Sequence, residues 1–63
     1  MLTDEKKAAL ARYEVALAEF AAATEKIDSK IRAGHAPSDD EFEREQELRL
    51  ELLKARYDLS RMI

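Results

Sequence analysis

With 63 residues, the chain has room for one domain, near the lower size at which a hydrophobic core sustains itself. It has no cysteine, which excludes disulfide staples and thiolate metal sites, and a single histidine cannot build a zinc site. Charged residues make up 40% of the chain at a net charge of −3, an interspersed, mildly acidic surface. Sequence-independent nucleic-acid binding needs an excess of Lys and Arg and is disfavoured.

From the N-terminus, residues 1–7 open acidic and lack the apolar region of a signal peptide. No apolar run approaches the roughly 20 residues of a membrane span. The start at Met1 suggests a complete small gene product, and the absence of cysteine fits a reducing cytosol, so a cytoplasmic protein is expected. Thr3, followed by Asp4 and Glu5, reads as a helix N-cap with acids that complement the helix dipole. The first helix is predicted over about 3–33. Lys30 and Arg32 sit in its last turn and Gly34 supplies the left-handed residue beyond it.

The loop, 34–38, holds the only Gly and the only Pro, Gly34 and Pro37. His35 lies there, where solvation or a contribution to the helix C-terminus explains it better than a functional role. Ser38 and Glu41 have the spacing of a capping box, which starts a second helix predicted over about 39–61. The fold class expected is therefore all-α: one domain, 1–63, forming an antiparallel two-helix, coiled-coil-like hairpin.

Both helices carry apolar residues at alternating three- and four-residue spacing, the pattern of a helix–helix seam. In the first helix the seam is read as Leu10, Tyr13, Leu17, Phe20, Thr24, Ile27 and Ile31. In the second it is Leu48, Leu52, Ala55, Leu59 and Met62, extending back through Glu45 and Glu41. Folding at the loop sets Phe20 near Leu52, Leu17 near Ala55, Thr24 near Leu48, Tyr13 near Leu59 and Leu10 near Met62. Glu41 and Glu45 fit an apolar seam poorly, so Phe42 is expected to cover Ile27 and Ile31 instead.

One hairpin leaves apolar surface over. At about 100° per residue, Leu50, Leu53 and Tyr57, with Phe42 towards them, lie off the second helix's seam, separated from it by Glu45, Arg49 and Arg56. The first helix has a second face of Ala8, Ala11, Val15, Ala18 and Ala22. Alanine there could reflect helix propensity alone, but Val15 has no such reason and favours packing. The oligomer or partner interface is accordingly assigned to Leu50, Leu53, Tyr57, Phe42, Ala8, Val15 and Ala22, with Tyr57 the favoured anchor. The first helix, about 31 residues against about 23, also overhangs by roughly 12 Å, leaving Leu2 through Lys7 without an intrachain partner. A symmetric dimer forming a four-helix bundle would cover all of this.

Chemistry is harder to find. The acids Asp39, Asp40, Glu41, Glu43, Glu45, Glu47 and Glu51 could suggest a metal face. Helix-dipole placement and the pairs Asp40–Arg44, Glu45–Arg49, Glu51–Lys54, Lys54–Asp58 and Asp28–Arg32 explain them better. No Glu-x-x-His spacing of a di-iron bundle occurs. No catalytic, cofactor or metal site and no small-molecule substrate is expected, so the chain is read as a non-enzymatic interaction or regulatory protein. Its expected partners are itself, as a homodimer, and a further protein. In length and plan it also resembles the plasmid copy-number regulator Rop, in which two helical hairpins form a four-helix bundle that binds paired RNA loops. That resemblance would imply RNA binding along the first helices, where the exposed face is alanine-rich and only Lys6, Lys7, Arg12 and Lys26 are candidates; no Rop residue carries over. A purely structural spacer is a third reading.

Overall fold

A computed structural model describes residues 3–62. Two helices, α1 (Asp4–Arg32) and α2 (Asp39–Met62), pack along their length as an antiparallel hairpin. The result is a rod of 48 × 17 × 13 Å.

Local chemistry sets each helix end. The Thr3 hydroxyl accepts from the Lys6 N–H at 3.2 Å, satisfying one of the free donors of the first turn. At the other end of α1, the His35 N–H donates to the Lys30 carbonyl at 2.8 Å and the Gly34 N–H to the Ile31 carbonyl at 3.0 Å. This is a Schellman closure, and it requires a left-handed residue at Gly34, whose φ is +81°. Ser38 and Glu41 form the reciprocal capping box. The Glu41 N–H donates to the Ser38 hydroxyl at 3.2 Å, and the Ser38 N–H donates to Glu41 Oε1 at 3.1 Å.

The seam of α2 runs as its spacing predicts, with Leu48 buried and Glu41, Glu45, Leu52, Ala55, Leu59 and Met62 half-buried. The seam of α1 has a different phase. Ala9, Ala16 and Ile27 are buried and Lys6, Tyr13, Phe20, Ala23 and Lys30 half-buried, another strict three–four repeat that shares Tyr13, Phe20 and Ile27 with the predicted stripe. Leu17 and Ile31, assigned to the seam, are instead 44% and 56% exposed, and Leu10 and Thr24 stand half-buried at its edge.

Two physical reasons favour this phase. Ala9, Ala16 and Ala23 on α1 leave room at the seam, so the two helices can approach closely. The second reason is electrostatic. Rotating α1 brings Lys30 to the seam, where its ammonium pairs with Glu41; in the predicted phase Ile31 would stand there and leave a partly buried carboxylate without its cation. Glu45 likewise accepts from the Thr24 hydroxyl at 3.1 Å. The strict α2 register therefore holds through both acids, and Phe42, expected to displace them, remains exposed. The N-terminal overhang is also shorter than expected. The helices differ by five residues, 29 against 24, or about 7.5 Å; Lys6 is already half-buried, and Leu2 lies outside the described residues.

Candidate interaction surface

The buried core of the hairpin is small: Ala9, Ala16, Ile27 and Leu48, two of them alanines. Large apolar side chains stay outside it. Leu50 is 67% exposed and Tyr57 62%, and Val15, Phe42 and Leu53 join Leu17 and Ile31 among the exposed hydrophobics. A folded monomer of 7.2 kDa ordinarily exposes roughly 4,100 Å². This hairpin exposes 5056 Å². The surplus, about 900 Å², is close to the roughly 800 Å² that each partner buries in a standard protein interface. Shape tells the same story: the radius of gyration is 14.5 Å, against roughly 11 Å for a compact domain of this length.

Helical geometry sorts the exposed residues. Measured from the two seams at about 100° per residue, Leu10, Leu17 and Ile31 of α1 and Phe42 and Leu53 of α2 fall on one flank of the hairpin. Leu50 and Tyr57 continue the band round the back of α2, where the Arg61 guanidinium lies 5.7 Å from the centre of the Tyr57 ring. Arg49 and Arg56 border the band on the seam side. Displacing Leu17 and Ile31 from the seam thus enlarges the apolar flank, a consequence invisible from the predicted α1 stripe.

The residues assigned to an interface do not form one surface. Ala8, Val15 and Ala22 are exposed but project to the opposite flank. There an open groove of about 530 Å³ runs between the helices, floored by Ala11, Val15, Ala16 and Ala55 and rimmed by Arg12, Glu19, Glu51, Lys54 and Asp58. A single flat partner covers one flank or the other.

Polar groups concentrate at the loop end. Glu41 Oε1 takes the Lys30 ammonium together with the Ser38 N–H and hydroxyl. The Lys30 ammonium, and next the Ser38 N–H, lower its pKa from the usual 4.5 to about 2. Its Oε2 is buried without a hydrogen-bond partner. Sequence reasoning treated Lys30 as a dipole complement and Glu41 as a cap; their meeting across the seam requires the α1 phase.

The surface ion pairs also differ from expectation. Arg32 reaches Glu25 at 2.7 Å rather than Asp28, and Arg44 lies 3.8 Å from Glu47 rather than beside Asp40. Among the described residues none of the five expected pairs is within ion-pair distance, as befits exposed pairs worth a few tenths of a kcal/mol each, whose side chains choose among several near-equal partners. No three of His, Asp and Glu converge to hold a metal ion among the described residues. No described helix is long and apolar enough to cross a membrane. Comparison with known proteins finds no match to the chain, whether among protein-family models, curated proteins or solved structures.

Proposed function

We propose that the chain is a small, non-enzymatic cytoplasmic interaction or regulatory protein that works as a homo-oligomeric helical bundle, two hairpins forming four helices, and docks a partner protein. One observation carries this reading. The hairpin exposes about 900 Å² more than a compact chain of its mass, and most of its exposed large apolar side chains fall on one flank and the adjoining back of α2. Exposed apolar residues clustered in this way mark interaction sites more often than ordinary surface. The caps and the Lys30–Glu41 pair hold the helix ends, and the exposed apolar side chains are left for a partner to bury. A homodimer uses one apolar band and leaves the alanine-floored groove on the other flank of each hairpin for a further partner.

The double variant Leu53→Glu/Tyr57→Glu places two carboxylates in the band without touching a cap or seam residue. Sedimentation velocity at micromolar concentration is expected to show a dimer for the parent chain and a monomer for the variant. A parent chain that sediments as a monomer removes the homo-oligomer. A variant that still dimerises makes the band ordinary surface.

A further inference from the structure

The outer face of α1 carries a charge pattern that is its own complement. Glu5, Arg12, Glu19 and Lys26 recur every seven residues with alternating sign, along one edge of the face formed by Ala8, Ala11, Val15, Ala18 and Ala22. Lys7, Glu14, Ala21 and Asp28 recur at the same spacing along its other edge. All of these residues are exposed, with Val15 57% exposed at the centre of the face. None of the charged ones is in an ion pair among the described residues. Arg12, Val15 and Glu19 also line the groove on this flank. We infer that this face of α1 takes the same face of another copy of the chain, antiparallel, with Val15 of each copy level with Ala18 of the other. The contact lies on the flank that the proposed homodimer leaves open and stands independently of it.

The α1 seam points about 140° away from this face, so α2 stands back from the contact and the charges that meet are those on the two α1 edges. Antiparallel helices bring the same edge of each copy together. In the register stated, Ala11 of one copy also comes level with Ala22 of the other. One edge then sets Arg12 against Glu19 and Glu5 against Lys26 of the other copy, and the second edge sets Lys7 against Asp28. The two-fold axis repeats each pair, the self-complementary geometry of an isologous dimer. Only Glu14, which comes to Ala21, meets no opposite charge. Sliding the copies by one seven-residue repeat either way sets Arg12 against Arg12 or Glu19 against Glu19. A parallel pair sets Lys7 against Arg12 and Glu14 against Glu19, like against like. The pattern therefore selects both direction and register. The small side chains let the helices approach to the near end of the usual range of roughly 8–10 Å. That brings the edge charges within the screening length of about 8 Å at physiological salt, where they count.

The full-length Leu53→Glu/Tyr57→Glu chain, with its apolar band blocked, isolates this flank. Sedimentation equilibrium is expected to show it monomeric at micromolar and dimeric at millimolar concentration. Adding Arg12→Glu alone, or Glu19→Arg alone, sets like charges together twice in each dimer and is expected to weaken self-association by at least about tenfold. An equimolar mixture of those two chains makes every such pair opposite in sign again and is expected to regain the dimer. A chain carrying both reversals is expected to do the same. Positions 12 and 19 stand about 10.5 Å apart along one helix, so the rescue acts between copies. Recovery also shows that the singly reversed chains are folded. The inference is overturned by a parent double variant that stays monomeric at millimolar concentration, or by single reversals that associate unweakened. It is equally overturned when neither the mixture nor the doubly reversed chain recovers. A double variant already dimeric at micromolar concentration overturns the band reading instead, and the same reversals then decide whether this face holds that dimer.

Discussion

Glu41 shows how much one side chain can couple in a chain this short. It closes the capping box of α2, holds Lys30 of α1 across the seam, and so ties the start of one helix to the end of the other beside the loop. Its pKa, about 2 against the usual 4.5, gives this coupling a pH signature. A carboxylate with a depressed folded-state pKa contributes stability that is fully present above about 4.5 and is lost as the pH falls through about 2. Glu41→Gln keeps an acceptor for the Ser38 N–H, since glutamine also serves in capping boxes, but removes the charge that pairs with Lys30. The variant is expected to melt below the parent chain at pH 7 and to converge with it towards pH 2, read as two thermal melts by circular dichroism. A constant gap across that range would show that Glu41 acts through its hydrogen bonds alone.

At the scale of the helix, the decisive feature is which of two nearly equivalent stripes α1 turns inward. Both keep three–four spacing and both contain Tyr13, Phe20 and Ile27; they differ in placing Ala9, Ala16, Ala23 and Lys30, or Leu10, Leu17, Thr24 and Ile31, beside them. Ranking positions by hydrophobicity chooses the second set. Packing against α2 chooses the first, because Ala23 leaves room at the level of Leu48 and Lys30 supplies the cation for Glu41. Sequence spacing assigns α1 alanines to a second face, Ala8 and Ala22 among them, rather than to the seam, yet Ala9 and Ala16 are two of the four buried hydrophobic residues among those described. Ala16→Leu should therefore overpack the seam and destabilise the hairpin by about 1–3 kcal/mol, while Ala18→Leu on the exposed side should stay within about 0.5 kcal/mol of the parent. Urea melts of the two variants compare them directly; equal stabilities would put Ala16 outside the seam.

For the whole molecule, the balance between a small core and a long surface would make folding and association one event in the proposed dimer. Among the described residues, only Ala9, Ala16, Ile27 and Leu48 are buried. A dimer that buries the remaining band should link stability to chain concentration. A hundredfold rise in concentration adds about 2.7 kcal/mol to the folded dimer and should raise the melting temperature by roughly ten degrees, measured by circular dichroism in short and long path cells. A melting temperature independent of concentration would mean that the hairpin unfolds as a monomer. The same balance bears on the Rop-like alternative: the bases it would rely on, Lys6, Lys7, Arg12 and Lys26, are spread along α1 among acids.

Local signals dictate the two helices and their antiparallel turn. Thr3, Gly34, Pro37, Ser38 and Glu41 each act within a few residues, so their hydrogen-bonding and φ preferences can be read one at a time. The apolar ridge of Leu50, Leu53 and Tyr57 was legible for the same reason, since α2 has only one plausible seam and these residues lie off it. The phase of α1 was not. It depends on matching side-chain volumes and charges between positions 11 or more residues apart, as in Lys30 with Glu41, and only the packed hairpin brings those partners together. That rotation moves Leu17 and Ile31 from core to flank and assigns Val15 and its neighbouring alanines to the other side. Tertiary structure therefore decided which surface is left over, because a helix buries whichever face its neighbour can fill.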